Sequence, residues 1–168
     1  MKANKNDFIR GLRESIQESP ARDLLHDLTL AYTKYMNINH LFLTGVGLTS
    51  IEAHTLKHIC QNPGVTITDI VNYWGRTKGT VSAQISALEE KGLVIREKRE
   101  EDKKRTYIYP TEKGLSINEY HAQFDIEESS RWIEKWLKKY TLEESEDFWE
   151  KLRYYKEFLD ERIKDSSL

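Results

Sequence analysis

The chain of 168 residues contains a single cysteine, Cys60, and no long apolar run. One cysteine excludes an internal disulfide framework. No uninterrupted apolar segment approaches the ~20 residues that a membrane-spanning helix requires. The first ten residues, MKANKNDFIR, lack the apolar core of a signal peptide. We therefore expect a cytoplasmic protein that does not associate with a membrane.

Motifs of enzymatic catalysis are also missing. The sequence has no glycine-rich phosphate loop, and no nucleophile stands at a recognisable spacing from a base. His54 and His58 have the spacing of metal ligands on a helix, but no further ligand stands out nearby. Cys60 follows the apolar spacing of the same segment, which favours a core thiol over a metal or redox sensor. We predict no enzymatic activity, no metal site and no cofactor.

Charge is abundant but unevenly distributed. Charged residues make up 32% of the chain, and 4 Trp, 9 Tyr and 5 Phe accompany them, which favours helices with apolar stripes and charged faces. The net charge is -2, yet residues 75–113 contain ten Lys/Arg against seven Asp/Glu. Residues 125–168 contain nine Lys/Arg against thirteen Asp/Glu. The basic excess of the first segment suits a phosphate-binding surface.

The segment from Thr66 to Gly114 predicts two short helices, a tight turn and a β-hairpin. Thr66 is the expected N-cap of the first helix, and Gly75 permits the sharp turn. Thr77 is the expected N-cap of the second helix, whose inward positions are Val81, Ile85 and Leu88. This order is typical of a helix-turn-helix followed by a hairpin called the wing, a unit that usually binds duplex DNA.

The outward face of the second helix, the predicted recognition helix, is small and polar. Bulky side chains would hold the backbone away from base edges in the major groove, so such a face suits DNA contact. An ordinary amphipathic helix is the alternative. The predicted DNA-contacting residues of this helix are Thr77, Lys78, Gly79, Thr80, Ser82, Ala83 and Ser86.

The wing is predicted from two stretches rich in β-formers, LVIREK and RTYIY, with a charged tip between them. Because four acidic residues oppose six cations here, we expect Asp102 to position a neighbouring Lys or Arg. A solvated, charge-rich turn is the alternative. The predicted DNA-contacting residues of the wing are Arg96, Lys98, Arg99, Asp102, Lys103, Lys104 and Arg105.

Long amphipathic helices are predicted on both sides of this unit. Residues 7–18 form a short helix, and a long helix runs from Ala21 to about Leu43, where Gly45 and Gly47 end it. After the wing, a long helix leads to another one capped by Thr141 with a capping box. Their aromatic surface exceeds what one winged helix can cover, so a second chain is expected to cover it. An aromatic ligand cage is the alternative. The predicted dimer contacts are Leu24, Leu28, Trp132, Trp136, Phe148, Trp149, Leu152, Tyr155 and Leu159.

Several spaced motifs resemble the MarR family of bacterial transcription regulators. A helix opened by Leu48 and Thr49 carries a capping-box Glu52, and the recognition helix ends in Leu-x-x-x-Gly-Leu. An acidic wing residue and a Thr-x-x-Gly start of the next helix follow. The resemblance covers about Leu48 to Gly114. It departs from the family pattern at Lys104, where the family usually has Arg, and at Arg76, a commonly apolar place in the turn.

The resemblance implies a mainly α fold with a small β-hairpin, a winged helix-turn-helix core and long terminal dimerisation helices. It divides the chain into dimerisation helices (1–47), a DNA-binding domain (48–114) and further dimerisation helices (115–168). It implies a homodimeric repressor that binds double-stranded DNA at a palindromic operator and responds to a small-molecule or acyl-carrier-type effector. The acyl-carrier alternative comes from similarity to the branch that controls fatty-acid synthesis genes. A winged-helix module that binds protein instead of DNA is the competing hypothesis.

Overall fold

The computed structural model describes residues 20–41 and 45–166. Within these ranges the chain forms six helices and five strands. In chain order they are α1 (Pro20–Met36), β1 (Asn39–Leu41), β2 (Gly47–Thr49), α2 (Ser50–Gln61), β3 (Val65–Thr66), α3 (Ile67–Trp74), α4 (Lys78–Glu90), β4 (Val94–Arg99), β5 (Asp102–Pro110), α5 (Glu112–Leu137) and α6 (Leu142–Ser166). None of the helices in these ranges has the length and hydropathy to cross a bilayer. The predicted mainly helical fold class is confirmed.

The chain divides into two compact units, with the boundary between His121 and Ala122. The first unit contains every strand described and the helices up to the first part of α5. The second contains the rest of α5 and α6. The predicted division into dimerisation and DNA-binding segments, at residues 47 and 114, stays a prediction.

The core of the first unit forms where α2, α3, α4 and the sheet pack together. The predicted inward residues of α4, Val81, Ile85 and Leu88, are completely buried. Burial of each such side chain contributes about 1.5–3 kcal/mol. The other fully buried large apolar residues are Leu48, Leu56, Ile59, Ile70, Leu93, Val94, Ile108 and Ile117.

The predicted hairpin is confirmed as β4 and β5, which pair antiparallel. Strand β3 adds to the other edge of β5, so the sheet order is β3-β5-β4. Arg96 lies opposite Ile108, and a register shift between Glu97 and Arg99 leads to the tip. The wing is therefore an extension of a sheet whose inner face is held in the core by Ile108.

The start of α5 is joined closely to the chain that follows α4. The hydroxyl of Thr111 donates to the carbonyl of Gly92 at 2.8 Å and accepts from the backbone N–H of Gly114 at 3.0 Å. A Cβ atom on Gly114 would overlap the carbonyl oxygen of Leu93. The Thr-x-x-Gly motif thus combines a helix cap with a contact that only glycine permits.

The first described helix is shorter than predicted. α1 ends at Met36, and not at about Leu43, so the expected termination by Gly45 and Gly47 is also wrong. The side-chain amide of Asn37 donates to the carbonyl of Thr33 at 2.7 Å, which competes with further helix bonds. The next residues pair as β1 with β2, whose first residue is Gly47. The helix predicted at residues 7–18 lies outside the described residues.

The second unit has an aromatic cluster at the junction of α5 and α6. Trp136 lies 4.5–6.1 Å, between ring centroids, from four other rings. Its indole N–H donates to the Ser145 hydroxyl at 2.8 Å. The predicted capping box is present, because the Thr141 N–H donates to Glu144 at 2.8 Å and the Glu144 N–H donates back to Thr141 at 3.2 Å. The four rings are those of Trp132, Tyr140, Phe148 and Trp149.

Candidate nucleic-acid interface

Two short helices and their caps position the candidate recognition surface. Thr66 caps α3 through a capping box with Asp69. Gly75 ends that helix at φ 61°, a left-handed conformation that glycine adopts without strain. The Thr77 hydroxyl accepts from the N–H of Thr80 at 3.2 Å and so starts α4. The predicted helix-turn-helix is confirmed.

The predicted recognition residues lie on one side of α4, opposite the buried one. The first four of these residues, Thr77, Lys78, Gly79 and Thr80, are exposed, and so is Ala83. Ser82 and Ser86 are half-buried. The hydroxyls of Thr77 and Thr80 bond to each other at 2.8 Å, which leaves one of the two hydroxyl hydrogens for another acceptor. The small, exposed side chains of this face suit a close approach to base edges, and the predicted DNA contacts of α4 stay a prediction.

Arg96, a predicted wing contact, is held against α4. Its guanidinium donates to the hydroxyl of Ser86 at 3.0 Å and to the carbonyl of Ser82 at 3.3 Å. It also pairs with Glu89 at 3.0 Å. These contacts attach β4 to the recognition helix, so we assign Arg96 a structural role in orienting the wing.

Arg99 is held in the same manner by two tyrosines. Its guanidinium lies 3.9 Å above the ring centre of Tyr107 and donates to the Tyr109 hydroxyl at 2.7 and 3.2 Å. The hydrogen bonds that Arg99 donates to the Tyr109 hydroxyl raise the pKa of Arg99 further, so the side chain stays charged. Arg99 therefore stabilises the base of the wing instead of extending from it.

Asp102 shapes the tip of the wing. Its carboxylate accepts the backbone N–H groups of Lys104 at 3.2 Å and Arg105 at 3.3 Å, and it pairs with the Arg105 side chain at 3.4 Å. The positioning contact predicted for Asp102 is thus present. Lys98, Lys103 and Lys104 are exposed and form no ion pair within residues 20–41 and 45–166.

A groove of about 380 Å³ separates the wing from the starts of α3 and α4. Three cations line it, while the carboxylate of Asp69 is engaged by the Thr66 N–H, a bond that lowers the pKa of Asp69. The N-terminus of α3 adds backbone N–H groups and the positive end of a helix dipole. The groove is therefore suited to a phosphate group. Its lining residues are Thr66, Ile67, Thr68, Asp69, Lys78, Lys104, Arg105 and Thr106.

Four polar members of this groove are not among the residues predicted to contact DNA: Thr66, Thr68, Asp69 and Thr106. Thr66 and Thr68 belong to the N-terminal turn of a helix, and that position could have suggested them as anion contacts. No feature of the neighbouring sequence suggests Thr106 as an anion contact. It reaches the groove because β5 pairs with β3, a contact between segments about forty residues apart in the sequence.

The two histidines with metal-ligand spacing have different neighbours. His58 stacks on Tyr73 at 3.9 Å, whereas His54 contacts His121 edge to face at 4.9 Å. Imidazole nitrogens of His54 and His121 lie within 4.8 Å of each other, so these two could contribute ligands to a metal ion. Burial raises the pKa of Cys60 to about 11, which keeps its thiol protonated and unreactive at neutral pH.

Capped helices, a glycine turn, a recognition helix and a sheet-based wing together define a winged helix-turn-helix. Residues 46–105 match the sequence model of the MarR family. Comparison with curated proteins finds no match. Residues 46–105 are thus similar to the MarR family, and the predicted resemblance is confirmed.

Solved structures with the same fold include two that contain DNA. FabT of Streptococcus pneumoniae, solved in complex with DNA, has 25% identity and a TM-score of 0.64 over 84% of this chain and 98% of its own. MepR of S. aureus, solved as a DNA complex, has 27% identity and a TM-score of 0.57 over 67% and 80%. MarR has 21% identity and a TM-score of 0.64 over 88% and 95%.

Proposed function

We propose that this protein is a sequence-specific DNA-binding regulator that represses transcription as a homodimer in the cytoplasm. The observation that supports the proposal best is the exposed polar face of α4 beside a groove lined by three cations. The DNA complexes of FabT and MepR support the same function, since both proteins have this fold.

In this proposal α4 enters the major groove, and the tip of the wing follows the adjacent minor groove. Thr77, Thr80 and Ser82 contact base edges or the sugar-phosphate backbone and set the register. Lys78, Lys104 and Arg105 neutralise phosphates, and the N-terminus of α3 binds a further phosphate in the groove. Arg96 and Arg99 contribute indirectly by holding the wing in place.

The homodimer is supported by apolar stripes that the single chain leaves exposed. On α1, Leu24 is 66% and Leu28 is 59% exposed. On α6, Leu152, Tyr155 and Leu159 are about two-fifths exposed and lie on one helix face. Exposed apolar surface of this kind marks protein interfaces. A two-fold dimer would bind a palindromic operator with half-sites about 34 Å apart.

The aromatic cluster of the second unit supports part of this interface. Trp132 and Phe148 are 44% and 40% exposed, although both contact other rings of the cluster. Trp136 and Trp149 are half-buried. We propose that the exposed edges of the cluster contact the second copy, while its centre stabilises the junction of α5 and α6.

The proposal is tested by fluorescence anisotropy on the duplex upstream of the protein's own gene, compared with a scrambled duplex at several salt concentrations. We expect tight, salt-sensitive binding to the native duplex alone. The double variant Lys104→Glu, Arg105→Glu should abolish it. The matched control Lys135→Glu, Lys138→Glu makes the same change of charge at two exposed positions, one in the last turn of α5 and one directly after it, and should retain binding. A folded dimer that binds neither duplex at any salt concentration would favour the protein-binding module.

A further inference from the structure

We propose that α4 recognises its operator mainly through the C5 methyl groups of thymines, which the methyl groups of Thr77, Thr80 and Ala83 contact in the major groove. This inference rests on the proposed function, because it names the feature of the DNA that the recognition helix selects. Among the four bases, thymine alone presents a methyl group in the major groove, and threonine methyls and alanine are suitable apolar partners for it. Each half-site of the operator should therefore carry thymines.

The side chains that usually form base-specific hydrogen bonds are missing from the exposed face of α4. The helix contains no Arg, Asn or Asp, which bind the edges of guanine, adenine and cytosine. Its one amide side chain, Gln84, has both the amide oxygen and the amide nitrogen buried, so this group does not reach a base. Of its two acidic residues, Glu89 is held in an ion pair with β4 at 3.0 Å, and Glu90 is the last residue of the helix. Base-specific hydrogen bonds are thus left to Lys78 and to hydroxyl groups.

Most of these remaining polar groups already have a partner or a different direction. Lys78 lines the groove beside the wing with two other cations, where a phosphate is its expected partner. The hydroxyls of Thr77 and Thr80 bond to each other at 2.8 Å, and the Thr77 hydroxyl also accepts the Thr80 N–H at 3.2 Å. The Ser86 hydroxyl accepts from Arg96 at 3.0 Å. Because the fold uses these polar atoms, methyl groups are the main feature that this face offers to a base.

The three methyl-bearing residues form a row along α4. Thr77, Thr80 and Ala83 are all exposed and follow one another at intervals of three residues. Residues three apart are neighbours on a helix surface. At a rise of about 1.5 Å per residue the row extends over about 9 Å. Base pairs are stacked about 3.4 Å apart, so the row covers about three or four of them in each half-site.

Replacing thymine by uracil tests the proposal, because it removes only the C5 methyl group and leaves base pairing and the minor-groove edges unchanged. A duplex that the protein selects from a random pool is compared with the same duplex carrying deoxyuridine for every thymidine, by fluorescence anisotropy. Burial of one methyl group corresponds to about fourfold in affinity, so one contact in each half-site predicts about sixteenfold weaker binding. Deoxyuridine at single positions then shows which thymines are contacted.

The double variant Thr77→Ser, Thr80→Ser removes two methyl groups and keeps both hydroxyls, so the cap of α4 and the bond between the hydroxyls remain. We expect its preference for the thymine duplex over the uracil duplex to be reduced about fourfold or more. The matched control Thr141→Ser removes the same group from the cap of α6 and should keep the full preference. Circular dichroism verifies that both variants are folded.

Equal binding of the thymine and uracil duplexes would overturn the proposal and leave the proposed function intact. An unchanged preference in the double variant would overturn it as well, because the methyl contacts would then not come from Thr77 and Thr80. A folded protein that selects no sequence from the pool would overturn the proposed function and this inference together. Failure of the methyl contacts is therefore distinguishable from failure of DNA binding.

Discussion

Replacing Lys104 by glutamine should lower the salt dependence of DNA binding, whereas replacing Arg99 by glutamine should not. Both residues are cations of the wing, but their surroundings differ. Lys104 is exposed and lines the groove beside α3, while the Arg99 guanidinium is held by Tyr107 and Tyr109. Only a side chain that reaches a phosphate releases a counterion from DNA.

The size of the effect follows from the number of contacts. Each phosphate contact contributes about 0.9 to the slope of log K against log salt, so losing Lys104 from both copies of a dimer removes about 1.8. The unchanged protein should bind DNA more tightly than Lys104→Gln at 50 mM salt. The ratio of the two association constants should therefore fall about twelvefold when the salt is raised from 50 to 200 mM. Arg99→Gln should keep the slope and lower thermal stability, because its contacts stabilise the base of the wing.

Fluorescence anisotropy across this salt range measures the slopes, and thermal unfolding measured by circular dichroism reports the stability of both variants. The two substitutions remove the same charge from the same hairpin, so each controls for the other. An Arg99→Gln slope reduced as much as that of Lys104→Gln would refute the division of the wing cations. An unchanged Lys104→Gln slope would refute the phosphate contact.

Three further substitutions test the fold and the assembly. Gly114→Ala should lower the free energy of unfolding in urea by about 3 kcal/mol, because the methyl group overlaps the carbonyl of Leu93; a gain in stability, as at an ordinary helical glycine, would contradict this contact. Burial alone would raise the pKa of Glu52, but its hydrogen bonds with Lys91 and Thr49 lower this pKa below 4.5. The charged carboxylate therefore stabilises the folded state at neutral pH, and this stabilisation is lost as pH falls through the lowered pKa. Urea unfolding should therefore show Glu52→Gln less stable than the unchanged protein at pH 7 but not in acid, and a difference independent of pH would refute the ion pair. Leu159→Lys should raise the dimer dissociation constant by about tenfold or more in analytical ultracentrifugation, and an unchanged constant would place the interface elsewhere.

Much of the winged helix could be predicted from local sequence. The caps of α2, α3 and α4 each need a threonine directly before the helix, and in two cases an acidic residue three positions on. The buried face of α4 follows from the periodicity of Val81, Ile85 and Leu88. These features depend on residues within one or two helical turns of each other, so their spacing in the sequence is sufficient to identify them.

The candidate site was predicted less completely, because charge alone does not show where a side chain is directed. Arg96, Arg99 and Lys104 have similar sequence surroundings, yet two of them are bound within the fold and one extends into solvent. The early end of α1 was missed for a related reason. Pairing of β1 with β2 competes with helical bonds, and helix periodicity carries no information about that partner strand.

The sequence by itself determined the resemblance to the MarR family, the order of helices and hairpin within the winged helix, and the buried face of α4. Capping and periodicity are local properties of the chain, so the spacing of residues is sufficient for these features. Only the tertiary structure decided which cations of the wing remain available for phosphate. Trp74 is fixed by Thr55, nineteen residues earlier, and Arg96 by Ser82, fourteen residues earlier. Contacts of that range exist only after the helices and the sheet have packed, because packing sets the distances between side chains that are far apart in the sequence.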